Sequence, residues 1–302
     1  MTPAAQTTGQ TSGQTSGQTS GRTTGLSVST RELVHIYRTE GRDVAALSGV
    51  SLDIAGGEFV GLLGPSGAGK STLLTLLGGL LRPSAGRIHL GADELTTIEP
   101  ARLDALRATS VSLILQGADR NLLPYLDLVQ NVAFAQAAAR DATLPSPEEV
   151  LAEFGLDDVR GSRPTDLPPG RRQLAAIAVA TSTRPGLILA DEPTSQLDRD
   201  AVETVLEAFF RLNRRLGTTI VLVTHDPEIA ERLPRTVTIR DGRIGGEGRS
   251  GEEYAVVTAD GFVPLPAHAL AELPPGTLLR VHPTQDGYLL SPADDDEEDR
   301  DE

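Results

Sequence analysis

The only lysine of the chain, Lys70, lies within residues 62–74, LLGPSGAGKSTLL, and the other 26 of its 27 basic residues are arginines. The segment fits the pattern G-x-x-x-x-G-K-[S/T], in which glycines let backbone N–H groups form a nest for anions. A helix that begins at the lysine would add its positive partial charge. The sequence therefore predicts a phosphate-binding loop whose residues are Gly64, Pro65, Ser66, Gly67, Ala68, Gly69, Lys70, Ser71 and Thr72.

Lysine suits this loop because its ammonium group is a compact charge on a thin stem, which a planar guanidinium does not replace. We expect Lys70 to reach the β- and γ-phosphates of a nucleoside triphosphate, and the hydroxyl group of Ser71 to bind Mg²⁺. The loop alone does not distinguish kinases, GTPases and transport ATPases.

An acidic pair, Asp191 and Glu192, ends the apolar part of residues 186–198, GLILADEPTSQLD. In a turn such a pair is usually only solvated, and a lone histidine such as His225 is more often structural. Each of these residues follows an apolar, strand-like segment in a chain with a phosphate loop, which favours a catalytic role. We expect Asp191 to order Mg²⁺, Glu192 to polarise the attacking water and His225 to contact the γ-phosphate.

The elements that position these residues are short apolar segments alternating with helical patterns. The segments 58–64, 111–116, 186–192 and 218–226 are rich in β-branched residues and predict strands buried on both faces. Residues 198–217 have apolar residues at helical spacing and end at Gly217. Alternating strands and helices predict an α/β core with parallel strands.

In order and spacing, residues 27–245 resemble the ATPase subunit of an ABC transporter. The resemblance implies the P-loop NTPase fold of ABC ATPases with a helical subdomain at about residues 117–185, and ATP and Mg²⁺ as cofactors. It implies that Tyr37 stacks on adenine and that Gln116 touches Mg²⁺ and couples to a membrane partner. It also implies that Ser195 and Asp198 belong to the D-loop, which faces a second ATPase subunit.

The family's signature segment, Leu-Ser-Gly-Gly-Gln, departs from its pattern here, because residues 167–173 read LPPGRRQ. Gly170 and Gln173 match, whereas Pro168 and Pro169 replace the serine and the first glycine. Proline fits the first turn of a helix but supplies neither a hydroxyl nor an N–H group. In the family this segment holds the γ-phosphate of ATP bound to the opposite subunit. We therefore favour a heterodimer with a second ATPase whose signature is intact over a homodimer.

The resemblance implies a cytoplasmic subunit, peripheral on the inner face of the cell membrane, whose dimer closes on two Mg·ATP and drives a separate permease. Residues 71–80 and 121–134 are similar to the branch for lipoprotein release, macrolide export and cell division. An ABC ATPase of translation or DNA repair is disfavoured by the single cassette and the lack of a heptad insertion. An ATP-gated regulatory subunit with slow hydrolysis and no transported substrate stays open, because the two prolines suit a switch.

The composition divides the rest of the chain. Residues 1–25 repeat Thr, Ser, Gly and Gln and predict disorder. Residues 246–292 predict a small β-rich module with hairpins near 260–261 and 286–287, weakly similar to AbrB-like dimerising hairpins, and residues 293–302 form an acidic tail. We expect a chain lacking residues 246–302 to bind ATP.

The formal charge, the lack of cysteine and the short apolar runs each limit what the chain can do. The chain has a net charge of −15, which argues against a nucleic-acid partner. It has no cysteine, so disulfides and thiolate metal sites are excluded. Its apolar runs are far shorter than the ~20 residues of a membrane-spanning helix, so we expect any membrane role to depend on other chains.

Overall fold

A computed structural model describes residues 25–39, 41–139, 141, 143–249, 252–257, 261, 263, 265, 267–274, 276–285 and 287–292. The strands are β1 Val28–Thr39, β2 Arg42–Ile54, β3 Phe59–Leu63, β4 Ala85–Leu90, β5 Asp93–Glu94, β6 Val111–Ile114, β7 Leu187–Asp191, β8 Thr219–Val223, β9 Arg235–Arg240, β10 Arg243–Arg249, β11 Glu252–Ala255, β12 Leu279–Pro283 and β13 Tyr288–Pro292. The α-helices are α1 Lys70–Leu77, α2 Pro100–Thr109, α3 Leu128–Ala137, α4 Pro147–Glu153, α5 Pro169–Thr181, α6 Arg199–Leu216, α7 Pro227–Ala230 and α8 Ala267–Glu272.

The main sheet has seven strands in the order β11-β10-β9-β3-β8-β7-β6. The four segments predicted as buried strands are β3, β6, β7 and β8, and they pair in parallel, β3 with β8, β8 with β7 and β7 with β6. Strand β9 also lies parallel to β3. Crossover connections bring helices to both faces of such a sheet, which explains the nearly continuous apolar runs. The predicted parallel α/β core is confirmed.

Alternate side chains of the sheet enter two hydrophobic clusters, one on each face. On one face, Ile188 and Ile220 pack with residues of α5 and α6, among them Phe209. On the other face, Leu189 packs in the cluster that contains Leu73 of α1. Because a fully buried leucine or isoleucine contributes ~1.5–3 kcal/mol, burial on both sides fixes the strand ends and the loops that follow them.

A second sheet, antiparallel and in the order β2-β1-β4-β5, packs its apolar side chains into the α1 cluster. Near its end β2 alternates strictly, with Val50, Leu52 and Ile54 buried and the residues between them exposed. That alternation is typical of an antiparallel sheet with one face on the core. The sequence analysis did not predict this sheet, which carries Tyr37 near the end of β1.

Residues 117–185 form the predicted helical segment and contain α3, α4 and α5, with short 3₁₀ helices at Ala118–Arg120, Asp157–Val159 and Pro164–Asp166. Capping boxes begin two of the helices: Asp127 with Gln130 at α3, and Ser146 with Glu149 at α4. Each box satisfies backbone donors that a helix start leaves without partners. The local sequence therefore fixes where both helices start.

The predicted boundary at residues 245/246 falls inside β10, which pairs with β9 from Arg243 to Arg249. Strand β11 then pairs with β10, so the main sheet continues to Ala255. The pairing is irregular between Ile244 and Gly246 and then continues to Arg249, so the ladder of β9 and β10 crosses the boundary.

The segment after the sheet contains α8 and a separate two-stranded sheet, β12-β13. The helix near 267–273 and the hairpin around 286–287 agree with the sequence analysis. The first predicted hairpin, around 260–261, falls largely outside the described residues, and the strand before it, β11, pairs with β10. Residues 258–260, the repeat at 1–24 and the tail at 293–302 lie outside the described residues.

Candidate functional site

The predicted phosphate loop connects β3 to α1 at the carboxyl end of the parallel strands. Gly64 has φ 137°, and a Cβ atom there would lie 2.0 Å from the carbonyl oxygen of Ile239. The position therefore requires glycine for its conformation and for its contact. Lys70 is 6% exposed and its Nζ donates to the carbonyl oxygens of Gly64, at 2.7 Å, and Pro65, at 2.8 Å.

The start of α1 fits a triphosphate bound with Mg²⁺. Gly69 is the N-cap residue, and no side chain caps the helix, so its first N–H groups have no side-chain acceptor. A Cβ atom on Gly67 would meet nothing within 4 Å, so the concave side of the loop is open. Free N–H donors and a lysine ammonium suit phosphate oxygens, and a serine hydroxyl beside a carboxylate suits Mg²⁺.

Asp191 ends β7 beside the loop, where its side chain is hydrogen-bonded to Ser71. Burial raises the pKa of the Asp191 carboxyl above its ordinary value, and the neighbouring charge of Glu192 raises it further. The hydrogen bond from Ser71 and the charge of Lys70 act in the opposite direction. A cation bound here would relieve the repulsion between the two carboxylates.

Glu192 connects two other predicted site residues. Its Oε2 accepts a hydrogen bond from Nε2 of Gln116 at 3.0 Å, and its Oε1 lies 3.1 Å from Nδ1 of His225. An ionised carboxylate only accepts hydrogen bonds, so the imidazole donates. Both carboxylate oxygens are therefore engaged by side chains that follow β6 and β8, the two strands on either side of β7.

The backbone of Glu192 is in the left-handed region, with φ 45°, which is uncommon for a residue with a side chain. Its N–H donates to the carbonyl oxygen of Val223 at 3.1 Å. Its carbonyl oxygen accepts from the backbone N–H of Ser195 at 3.1 Å and from the hydroxyl of Ser195 at 2.9 Å. These bonds hold the strained conformation that aims the carboxylate at Gln116 and His225.

Tyr37 lies beside the first turn of α1, with its hydroxyl 3.3 Å from Oγ1 of Thr72. The sequence analysis missed His35, whose ring meets that of Tyr37 edge-on at 4.7 Å between centroids. His35 is 8% exposed, and its Nδ1 has no partner among the described residues. Both residues lie on one face of β1, and that two-residue spacing was the available signal.

The signature segment stands apart, since no described hydrogen bond or ion pair joins it to the phosphate loop. Pro168 caps α5 and Pro169 is its first residue, as predicted, and no side-chain hydrogen bond caps the helix. A Cβ atom on Gly170 would lie 2.8 Å from Cβ of Ala201 in α6, so glycine allows the two helices to meet. Gln173 is buried, and its Nε2 has no partner among the described residues.

The predicted D-loop joins the two parts of the site. At one end of the loop, Asp198 is the N-cap of α6 and accepts a hydrogen bond from the N–H of Ala201 at 2.9 Å. At the other end, the hydroxyl of Ser195 donates to the carbonyl oxygen of Glu192. A phosphate loop after β3, an acidic pair after β7, which β8 separates from β3 in the sheet, and a helical segment between them in the chain define an ATP-binding cassette of the ABC type.

Comparison with known proteins agrees with this class. The family model "ABC transporter" matches residues 47–195. The lipoprotein-releasing system ATP-binding protein LolD of Anaeromyxobacter dehalogenans is 40% identical over 212 residues, which cover 68% of this chain and 88% of that protein. The chain therefore belongs to the ABC transporter family, as an ATP-hydrolysing, nucleotide-binding subunit that uses Mg²⁺.

Two further relatives differ in how much of them the chain covers. The macrolide export ATP-binding/permease protein MacB of Syntrophobacter fumaroxidans is 36% identical, but the match covers 80% of this chain and 34% of that protein. A dimeric structure of the cassette MJ0796, bound to ADP and Pi, superposes with a TM-score of 0.68 at 30% identity and covers 74% of this chain and 98% of that one.

Proposed function

We propose that the chain is the ATP-hydrolysing subunit of a transporter whose permease is a separate protein, and that it works at the inner, cytoplasmic face of the cell membrane. Among the described residues, no helix has both the length and the apolarity to cross a membrane. The relatives named for lipoprotein release and macrolide export support an exporter or a lipoprotein-handling system. The observation that carries the proposal is a surface cleft in the helical segment, which hydrogen bonds of Asn121 connect to the backbone on either side of Gln116.

The residues of the site take separate tasks in this proposal. Ser71, Gln116 and Asp191 hold Mg²⁺, which offsets phosphate charge when bound, and Lys70 with the loop N–H groups holds the phosphate oxygens. Glu192 orients the attacking water and accepts its proton, and His225, whose Nδ1 lies 3.1 Å from Oε1 of Glu192, contacts the γ-phosphate. Two predicted contacts complete the ATP-binding site. Tyr37 contacts adenine, and Ser195 and Asp198 contact a second subunit.

The cleft has a volume of about 240 Å³ and is lined by Asp119, Leu122, Pro124, Pro164, Thr165 and Arg172. The segment between the cleft and Gln116 is braced by Asn121, whose Oδ1 accepts from the N–H of Leu115. Its Nδ2 donates to the carbonyl oxygens of Leu115 and Gly117. A partner in the cleft would therefore displace Gln116, which contacts Glu192.

Two large apolar side chains on the same segment, Tyr125 and Phe134, are exposed by more than 60%. Exposed aromatic residues at the centre of a surface patch are typical of protein interfaces. A permease segment that covers them would couple its own movement to the carboxylate that activates water.

The test uses the absence of cysteine from the chain. Tyr125→Cys introduces a single thiol, and Thr204→Cys on the exposed side of α6 is the matched control. Each variant is labelled with a thiol-directed photocrosslinker and added to membranes of the source cells. We expect Tyr125→Cys to form a product with a protein that spans the membrane several times, identified by mass spectrometry. Equal products from both variants, or none from Tyr125→Cys, would contradict the proposal.

The second candidate, an ATP-gated subunit with slow hydrolysis, is supported by the start of α5. Pro168 and Pro169 have no N–H groups, and no side chain caps the helix. Each hydrogen bond to a charged phosphate contributes ~1.5–3 kcal/mol, so two missing donors would slow hydrolysis by roughly 10²–10⁴. A partner with an intact signature would avoid this loss at the site on this chain's own phosphate loop.

A further inference from the structure

The segment that follows the main sheet has regular elements but no interior among its described residues. It contains α8 and the hairpin β12-β13, and no described residue after Gly246 is buried. Nevertheless the sequence there is rich in leucine, valine and alanine. A segment with that composition and no buried side chain of its own needs a surface to cover it.

The hairpin is amphipathic, as its register shows. Residues directly opposite each other in an antiparallel pair share a face, and successive pairs alternate between faces. One face carries only apolar residues, because its three pairs are Leu279 with Pro292, Val281 with Leu290, and Pro283 with Tyr288. The other face carries the pairs Arg280 with Ser291 and His282 with Leu289. We call the first set the apolar face.

The apolar face is open to solvent in the described structure. Val281 is 59% exposed, Leu290 41% and Tyr288 77%. These three neighbours form a continuous strip, because Leu290 lies opposite Val281 and Tyr288 is two residues along the same strand. Neither core cluster of the cassette includes any of them.

Few mechanisms stabilise a folded segment as small as residues 267–292. Below about 40 residues a domain usually needs disulfides, a metal or association with another chain to be stable. The chain has no cysteine, and the described residues hold no group of three His, Cys, Asp or Glu side chains arranged for a metal. An isolated two-stranded hairpin is marginal in water. Association is the remaining route.

We propose that the apolar face of β12-β13 binds the same face of a second copy of this chain. A flat apolar strip is complementary to itself, so one two-fold contact covers both copies. The similar cassette MJ0796 is a dimer in its solved structures, so a second copy is the partner that a cassette of this type already meets. A nucleic acid or an anionic lipid surface does not suit a segment whose residues 246–302 carry 14 carboxylates and 3 arginines.

The contact tethers two cassettes to each other. Six side chains from each copy make an interface at the small end of the range for specific pairs, so its affinity is modest. Within such a dimer, the two nucleotide sites meet as one molecule rather than by diffusion, and closure depends on protein concentration only through the hairpin contact. The dimer then has this chain on both sides, and each site faces Pro168 and Pro169 of the other copy, in place of the heterodimer that the sequence favoured.

The experiment measures the mass of the full chain by sedimentation equilibrium without nucleotide, for three proteins. Val281→Glu places a charge on the apolar face, and His282→Glu places the same charge on the opposite face, one residue along the same strand. Both positions are exposed, so neither change enters a core. Equilibrium binding of ATP is the folding control and should be equal in all three.

We expect the unmodified chain and His282→Glu to dimerise below about 50 µM, and Val281→Glu to bind its copy at least ~10-fold more weakly. Added salt should strengthen the dimer, because it screens the tails at 293–302, which hold eight carboxylates and one arginine. A monomeric unmodified chain at that concentration, which would leave the face to another protein, overturns the proposal. Equal effects of the two variants, or a dimer that salt weakens, also overturn it.

Discussion

Lys70 is folded back onto its own loop, where its ammonium group donates to two carbonyl oxygens. Replacement by alanine should abolish ATP binding, because the phosphates lose their only buried cation in the loop. Replacement by arginine should also weaken binding strongly, because the guanidinium is too broad for the same space. Isothermal titration with ATP measures both. Thr75→Ala, one turn along α1, is the control, and ATP affinity equal to that of the control would refute the role of Lys70.

Glutamine has the same shape as Glu192, but its amide nitrogen cannot accept a hydrogen bond, so the substitution removes one of the two bonds from Gln116 and His225. The Glu192→Gln variant should keep ATP bound and lower turnover by ~10² or more, since an amide does not accept the proton of the attacking water. Single-turnover hydrolysis together with filter binding separates the two effects. The assignment fails if turnover is unchanged, or if turnover and ATP binding fall together.

At the scale of single residues, the sequence predicted the groups whose spacing is fixed within one segment. Gly64 to Ser71 and the pair Asp191 and Glu192 belong to this class. Contacts between segments were not predictable, because they depend on which strands are neighbours. The hydrogen bond from Gln116 to Glu192 joins the segments that follow β6 and β7. His35 became a candidate site residue only because its ring contacts that of Tyr37.

At the scale of elements, the phosphate loop contains three glycines with positive φ, and two of them, Gly64 and Gly67, lie in different surroundings. Gly64→Ala places a Cβ atom 2.0 Å from a backbone oxygen, whereas Gly67→Ala meets nothing within 4 Å. We expect Gly64→Ala to lower the free energy of unfolding by more than ~3 kcal/mol, and Gly67→Ala by only ~1–2 kcal/mol for its left-handed backbone. Urea unfolding of both variants measures this difference, and similar losses would contradict the contact at Gly64.

The start of α5 gives the second test at this scale. The double variant Pro168→Ser, Pro169→Gly restores a hydroxyl and backbone N–H groups at positions that the family uses toward ATP on the opposite subunit. Turnover of the purified chain should rise by roughly 10²–10⁴ if these donors limit hydrolysis. Steady-state ATPase assays at saturating ATP measure the change. A high rate in the unmodified chain that the double variant does not raise would show that the prolines are harmless.

The elements were predictable where one physical signal dominates. Strands β3, β7 and β8 are buried on both faces and appear as continuous apolar runs. Strand β1 was missed because its pairing with β2 shifts register between Thr30 and Leu33 and again between Leu33 and Val34. Such irregularities break the two-residue alternation by which a half-buried strand is identified.

At the scale of the whole molecule, the position of a truncation decides its effect. A chain ending at Val257 keeps β10 and β11 and should bind ATP as the full chain does. A chain ending at Gly245 loses Glu247, whose Oε1 accepts from Nε of the largely buried Arg235 at 2.7 Å, and should be less stable. Thermal unfolding and ATP titration of the two chains test this, and equal stability would contradict the extension of the sheet.

The difference between the two truncated chains should depend on pH. Burial raises the pKa of Glu247, but hydrogen bonds from Arg235 and Arg249 outweigh burial and leave the pKa below its ordinary value. A lowered carboxyl pKa stabilises the fold above the unfolded-state pKa, and this contribution is lost as pH falls through the folded-state value. The gap in stability should therefore narrow in acid, below the ordinary pKa of glutamate.

The sequence located the cassette but not its end, because composition changes at residue 246 while strand pairing continues. The acidic, glycine-rich stretch that begins there indicated a new module, yet Gly246 and Gly248 are paired with β9 inside the sheet. The division of a chain into domains follows its hydrogen bonds, which composition does not report.

The solitary lysine has a consequence for how this protein can be modified. Acetylation and ubiquitination of lysine require a side-chain amine, and Lys70 supplies the only one. Because that amine is 6% exposed and covered by two carbonyl oxygens, such chemistry has no lysine on the open surface to act on. Any acylated lysine found in this protein is therefore Lys70, and a cassette that carries it has lost the ammonium group that binds the phosphates of ATP.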